Sequence, residues 1–421
     1  MVYVLTKDNK PLMPTNRHGH VRRLLKTGKA KVVRRMPFTI KLLYETPENV
    51  QELTLGVDTG SSVIGNAVST NDGKIVYTSK VIIRNDIKEK MDRRRNYRRN
   101  RRNRKTRYRK ARFNYRRNSI RSDRFSPTMI SKYHSHIKEI EFIKSILPIT
   151  KLVLETGTFD PHLLKNPSLA NPKIAKWGYQ KGTNYGFENT KAMVLNRDGY
   201  KCHICKTKKQ GVKLEVHHII FRSNGGGDSP ENLITLCHKC HEKLHHGEIK
   251  LKLKGEPKGQ LKHATQMNSI RIQLLKYYPE AIETFGYITK ANRQNLNIAK
   301  DHHLDACVIA SGGRTITNLN ELVYVKRDIP RGDMQQTRGV RSELRIETGK
   351  IHGFRKFDKV RYFGREYFIK GRMSSGYAIL MDIYDKKVDF SHLGKGNKTP
   401  KLTLCKRISS RRNQLMCVEK I

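Results

Sequence analysis

The chain of 421 residues is short of acid, short of cysteine and without any long apolar run. Against 86 Lys and Arg stand only 37 Asp and Glu, leaving a formal charge of +49. So large an imbalance sets the protein apart from ordinary neutral enzymes and implies a polyanionic partner, most simply a nucleic acid. No apolar stretch approaches the roughly 20 residues needed to span a bilayer. The opening residues, MVYVLTKDNKPLMP, lack the charged and then continuously apolar regions of a secretory signal. The expectation is therefore a cytoplasmic protein without a membrane partner. The seven cysteines comprise two Cys-x-x-Cys pairs and an odd remainder, Cys307, Cys405 and Cys417. That remainder points to free thiols in a reducing compartment.

What is present is concentrated between Cys202 and His246. Cys202 with Cys205, and Cys237 with Cys240, are spaced as the ligands of a closed tetrahedral zinc site. Around them lie His217, His218, Asn232, His241 and His245. In the strand-like LEVHHII, adjacent side chains point to opposite faces, so one imidazole can face a metal and the other a phosphate. His241 and His245 are four apart and share a helix face. This order resembles the HNH, or ββα-metal, nuclease motif. The resemblance implies that His218 is the general base that takes a proton from water. It also implies that His217 and Asn232, helped by one helix histidine with His241 preferred over His245, hold a single Mg²⁺.

Three carboxylates form a second, dispersed pattern. Asp58 ends the apolar strand ELTLGVD and is followed by a Gly-Ser turn, a placement that suits a divalent-metal site. Two more strands follow, joined at the turn Asn71-Asp72-Gly73. Glu155 ends KLVLET in the same way, and AKDHHLDACVIA sets His302 and Asp305 three apart on one helix. Together these resemble the three motifs of RuvC-type, RNase H-like nucleases. The resemblance implies that Asp58, Glu155 and Asp305 bind two Mg²⁺, with His302 positioning the nucleophile or moving a proton.

Between the first two motifs, residues 92–121 carry 14 Arg and 2 Lys against one Asp, with neither Gly nor Pro. A helix is expected there, at least when bound, because Arg is a good helix former. Arg94, Arg98, Arg101, Arg102, Arg109, Arg112 and Arg116 are its candidate nucleic-acid contacts, since the guanidinium fork grips phosphate bidentately. The segment resembles the arginine-rich bridge helix of RNA-guided nucleases.

The fold class expected is α/β. An RNase H-like (RuvC) core, split in sequence, would carry an inserted ββα-metal HNH zinc module, an arginine-rich bridge helix and small basic N- and C-terminal modules. The expected divisions begin with 1–50, a strand, a Pro-bounded turn at Pro11-Leu12-Met13-Pro14, a short helix and two strands. RuvC segments at 51–91, 122–185 and 249–312 then alternate with the bridge helix at 92–121 and the HNH module at 186–248. Within the second and third RuvC segments, an amphipathic helix is expected from Pro127 to about Leu147, and a helix over 265–285. The remaining residues, 313–421, form a basic module with a β-barrel-like unit, assigned to the guide RNA and a target-adjacent DNA motif.

This order resembles the IscB family of transposon-associated RNA-guided nucleases, relatives of the CRISPR type II effectors. It implies a Mg²⁺-dependent DNA endonuclease with structural Zn²⁺, acting as a monomeric ribonucleoprotein with a structured guide RNA (omega RNA) on double-stranded DNA. The HNH site would cut the guide-paired strand and the RuvC site the displaced one. Only 33 residues lie between Arg121 and Glu155, too few for a helical recognition lobe, so a large guide RNA would replace that scaffold. Two rival readings remain: a protein-only HNH/RuvC endonuclease, and a non-catalytic zinc-containing RNA-binding protein.

Overall fold

A computed structural model describes residues 1–102, 125–208, 211–257, 259, 261–319, 322–330, 349–394 and 398–420. The chain divides into two compact units, Met1–Gly157 with Ser269–Ile421, and Thr158–Asn268. Among the described residues no helix is long and apolar enough to cross a membrane.

The first unit opens with β1 (Val2–Leu5), β2 (Pro11–Thr15), α1 (His18–Lys26), β3 (Ala30–Arg35) and β4 (Phe38–Leu42). The four strands form one sheet in the order β2-β1-β4-β3, and Val21 of α1 packs on Val2, Val4 and Ile40. Here the expectation of a proline-bounded turn is corrected: Pro11-Leu12-Met13-Pro14 lies in β2, paired antiparallel with β1. Proline is tolerated because β2 is an edge strand, where outward amides need no ladder partner.

Next come β5 (Leu53–Asp58), β6 (Val63–Thr70) and β7 (Ile75–Ile82), an antiparallel meander whose second turn bends at Gly73 with φ +76°. Helix α2 (Ile87–Arg102) includes the first turns of the arginine-rich segment; the rest of it lies outside the described residues. After α3 (Pro127–Lys144), whose N-cap Ser126 accepts from the Met129 amide, comes β8 (Lys151–Thr156). The face that α3 buries is more polar than a plain amphipathic pattern implies: Lys132, Ser135, His136 and Glu139 are all buried. Glu139 accepts from Tyr77 and Ser79 of β7, so the polar stripe docks on polar positions of the sheet.

The second unit holds α4 (Pro161–Lys165), α5 (Pro172–Gly178), α6 (Thr190–Arg197), β9 (Leu214–His218), β10 (Leu233–Cys237) and α7 (His238–His245). It is wider on both sides than the expected 186–248. The unit boundary at Asn268 falls inside α8 (Lys262–Tyr277).

Returning to the first unit, β11 (Ile282–Phe285) is a strand where the sequence suggested helix to residue 285. Alternation in Ile282-Glu283-Thr284-Phe285 lets it pair parallel with β8, a long-range partner that local propensity does not reveal. Then follow α9 (Gly286–Asn295), α10 (His302–Ser311) and β12 (Leu322–Asp328). The chain closes with β13 (Lys359–Tyr362), β14 (Arg365–Arg372), β15 (Ala378–Met381), β16 (Lys406–Ser409) and β17 (Gln414–Lys420).

Seven strands from across the chain make the central sheet, in the order β11-β8-β5-β6-β7-β12-β17. The residues expected to form one C-terminal module are thus shared: β12 and β17 extend this sheet, while β13–β16 form an open four-stranded sheet in the order β15-β14-β13-β16. Helix α10 lies directly on β5 and β6 because Gly56 and Gly65 leave room. A Cβ on Gly56 would collide with the Ala306 and Ala310 backbone, and one on Gly65 with the His302 carbonyl.

Candidate metal centres

In the first unit, parallel pairing of β5 with β8 sets Asp58 opposite Glu155, so both carboxylates leave the sheet at neighbouring strand ends. The Thr59 hydroxyl donates to the Glu155 carbonyl oxygen at 2.6 Å, tying the two ends together. Close packing of α10 then brings His302 Nδ1 to 2.6 Å from Asp58 Oδ2. Asp305 follows one turn later, with Arg293 Nε of α9 at 2.9 Å from its Oδ1.

Burial raises all three carboxyl pKa values. For Glu155 the rise reaches about 7, with repulsion from Asp58 and Asp305 adding to desolvation. Asp58 is also raised by desolvation, an effect that the His302 bond opposes. Desolvation followed by the Asp58 charge lifts Asp305. The bond to Asp58 in turn raises His302. Glu155 Oε2 is buried without a hydrogen-bond partner, and so is Asp305 Oδ1, which faces Arg293 without hydrogen-bond alignment. Buried, mutually repelling carboxylate oxygens with free lone pairs fit a divalent cation.

The second unit contains two tighter clusters. Sγ atoms of Cys202, Cys205, Cys237 and Cys240 all lie within 4.8 Å of one another, and Cys205 Sγ is 3.7 Å from Cys237 Sγ. A tetrahedron with Zn–S near 2.3 Å has sulfur–sulfur edges of about 3.8 Å, so the donors fit zinc. The site holds Cys237 at the end of β10 and Cys240 in the first turn of α7, which fixes helix against hairpin.

Nearby, one nitrogen from each of His217, His241 and His245 falls within 4.8 Å of the others. His217 is buried on β9, and its Nε2 has no partner. Desolvation and the neighbouring imidazoles His241, His245 and His218 push its pKa down to about 4, which leaves a neutral ring with a free donor pair. His241 is also lowered, first by desolvation. Its Nδ1 lies 3.0 Å from Glu215 Oε2, which orients the ring as second-shell carboxylates orient metal-bound histidines. These donors fit a divalent cation. The expectation preferred His241; the geometry brings His245 into the same cluster beside it.

His218 turns to the other face of β9, as strand alternation requires, with Nε2 at 2.8 Å from Asp228 Oδ1. Arg222 Nε also donates to Asp228 at 2.8 Å. The Asp228 carboxyl is held low by these two partners, His218 first.

Asn232 is a correction. Expected among the metal ligands, it is fully buried, and its amide is spent on backbone. Oδ1 accepts from the Ile220 amide at 2.9 Å, while Nδ2 donates to the carbonyls of Ile220 at 3.1 Å and Gly227 at 2.8 Å. Three bonds from one short, fully buried side chain tie it to backbone and close the loop between β9 and β10. Sequence reading missed Glu215, Asp228, Thr59 and Arg293. Only Glu215 carries a local signal, since it shares the His217 face two positions earlier.

Of the candidate arginines, Arg94 and Arg98 are exposed on α2, and the backbones of Arg101 and Arg102 are helical. Arg109, Arg112 and Arg116 lie outside the described residues.

Comparison with known proteins places these sites. A family described as RRXRR protein matches residues 2–182, and the HNH endonuclease family matches 202–247. Anaredoxin of Nostoc sp. is 39% identical over 67 residues, 15% of this chain and 86% of that protein. The Type IV methyl-directed restriction enzyme EcoKMcrA of Escherichia coli is 49% identical over 35 residues, 8% of this chain and 13% of that enzyme. Among solved structures, Streptococcus thermophilus Cas9 in complex with AGGA PAM is matched with a TM-score of 0.32 and 14% identity, over 45% of this chain and 26% of that one. The same enzyme with the AGAA PAM is matched at 0.34 and 12%, over 58% and 32%. The chain thus spans about a quarter to a third of those solved proteins. Residues 202–247 thus carry an HNH endonuclease domain, which supports a nuclease. The RRXRR domain precedes that nuclease domain in the same polypeptide.

Proposed function

We propose that the protein is an IscB-type, transposon-associated RNA-guided DNA endonuclease, in which a split RNase H-like (RuvC) core and an inserted HNH module each cut one strand. The observation that carries this reading is the presence of two unlike cation-ready centres in separate units of one strongly basic chain. At the first, Asp58, Glu155 and Asp305 hold Mg²⁺, and His302, bonded to Asp58, positions the nucleophile. At the second, His217, His241 and His245 would hold a divalent cation that accepts imidazole nitrogen, a softer ion than Mg²⁺, while the four cysteines would hold zinc as a structural staple.

At both centres the cation would stabilise charge on the leaving oxygen. The protein's own part is proton transfer and orientation. Asp228 fixes His218 through Nε2, leaving Nδ1 to take a proton from the attacking water. Arg222 donates to the same Asp228 oxygen, Oδ1, and offsets its charge, so the carboxylate orients the ring. Asn232 keeps the loop closed so that His218 and the three-histidine cluster stay in register. The arginines of α2 and the overall charge supply the polyanion-binding surface, with a structured guide RNA setting the address.

Strand-labelled cleavage of a target duplex with the copurified RNA tests the assignment. His218→Ala should leave displaced-strand nicking and lower guide-paired-strand cutting on the order of 10²–10⁴-fold. Asp58→Ala should do the reverse. Loss of both cuts from either substitution, with binding intact, would break the two-centre reading. Cutting that survives ribonuclease treatment unchanged would favour the protein-only endonuclease.

A further inference from the structure

In the second unit, outside the zinc and histidine clusters, a short basic segment presents large aromatic rings to solvent. The only tryptophan of the chain, Trp177, is 56% exposed at the end of α5, and Tyr185 is 62% exposed eight residues later. Singly exposed rings are ordinary on a protein surface, but these two are gathered about one ammonium group. Lys181 stands between the two, its Nζ 4.8 Å from the centroid of Trp177 and 5.2 Å from that of Tyr185. The ammonium thus holds both rings in place through their negative faces and remains exposed itself.

The local charge matches a polyanion. Lys173 and Lys176 on α5 are exposed, and among the described residues neither they nor Lys181 takes part in an ion pair. The underlying backbone is firmly set. Leu169 is buried against Gly178, and the amide of Phe159 and side chain of Asn268 bond reciprocally at 2.9 and 2.6 Å, pinning the start of the unit to its end. Rings held on a set backbone, with ammonium groups between and beside them, are what binds unpaired bases and their phosphates together. An acidic peptide would satisfy the lysines but leave two flat ring faces unused.

We propose that Trp177, Lys181 and Tyr185, flanked by Lys173 and Lys176, form a stacking platform for single-stranded DNA beside the HNH domain. Bases stack on the outer faces of the two rings, and the lysines take the intervening phosphates. The proposal rests on the nuclease reading only in taking DNA as the occupant, and it requires no metal, so loss of cleavage and loss of the platform are separable.

The single tryptophan supplies the measurement. Trp177 emission in the full chain is titrated with oligo(dT), with a duplex of equal length and with oligo(U), in EDTA at about 0.3 M salt to suppress purely ionic binding. Saturable quenching by oligo(dT), retained in excess duplex, is expected. Tyr185→Ala should weaken that quenching curve on the order of tenfold, and Lys181→Ala should weaken it and make its salt dependence shallower. Trp177→Leu should lower the affinity for labelled oligo(dT), read by anisotropy, by a similar factor. Quenching by the duplex as strong as by oligo(dT), or by oligo(U) alone, would overturn the assignment. So would an emission already blue-shifted and shielded from acrylamide in the free protein, because the rings would then be covered by the protein itself.

Discussion

The carboxylate centre and the histidine centre reach readiness for a cation from opposite starting charges, and burial acts on both in the same direction. In the first unit it pushes Glu155 up to about 7, toward the neutral acid. In the second it pushes His217 down to about 4, toward the neutral imidazole. Desolvation always favours the uncharged form, but only for histidine is that form the ligand. His217 is therefore a ready ligand without losing a proton, whereas Glu155 must release one to bind. The scaffolds differ as sharply. Strands β5 and β8 and helix α10, drawn from residues 53 to 311, converge Asp58, Glu155 and Asp305, while a hairpin and one helix, with four cysteines clustered beside them, suffice for the histidines.

The largest expected effect breaks the second scaffold and spares the first. Cys237→Ser should forfeit much of the roughly 10–16 kcal/mol that structural zinc supplies. Zinc content by metal analysis should fall with guide-paired-strand cutting, while displaced-strand nicking persists. Retained zinc with a folded second unit would show that the thiolates are not its staple.

A smaller change sharpens the role of Asn232. Asn232→Ala leaves the Ile220 amide and two carbonyls without their partner, at about 1–3 kcal/mol for each buried group left unsatisfied. Thermal unfolding of the second unit should shift down, yet Mn²⁺ affinity at the histidines, measured calorimetrically on the folded variant, should change little. A large affinity loss with unchanged stability would restore Asn232 as a ligand.

The smallest effect separates the centres by pH. Glu155 in the folded, metal-free protein titrates at about 7 against an ordinary value of 4.5. The folded state therefore binds the extra proton between those values, so its stabilising contribution is full below 4.5 and is lost as pH rises through 7. Glu155→Gln should remove that loss, raising the melting temperature in EDTA at pH 8 by about 2–4 °C per kcal/mol recovered while leaving it near unchanged at pH 4. With nicking by the carboxylate centre isolated in His218→Ala, the Mn²⁺ concentration needed for half-maximal displaced-strand nicking should rise as pH is lowered from 8 toward 6, because Glu155 must then give up its proton to bind. A requirement that stays flat over that range would erase the contrast between the centres.

How far each centre could be read beforehand follows from how local it is. The four cysteines and His217, His218, His241 and His245 sit within one stretch, and their order alone suggested a metal-bearing hairpin and helix. The error there, Asn232, arose because an Asn side chain serves backbone capping as readily as metal binding, and only the loop path decides which. Glu155 lies 97 positions after Asp58, and their adjacency depends on β5 pairing with β8. A strand end in Asp or Glu does not state its partner. β11 and the Pro11–Thr15 edge strand were misread for the same reason, since pairing across the sheet overrode local helix and turn signals. The seating of α10 came from Gly56 and Gly65, whose missing side chains carry meaning only once the helix that fills the space is known.

By itself the sequence determined the charge, the two Cys-x-x-Cys pairs, the histidine pair with its opposed faces and the types of side chain available for catalysis. These depend on residue identity and short spacing. Only the tertiary structure decided that His241 and His245 join His217 together, that Asp228 fixes His218, that Asn232 closes a loop and that Arg293 faces Asp305. Each of those depends on where distant backbone segments approach, which is set by strand register and burial rather than by neighbouring residues.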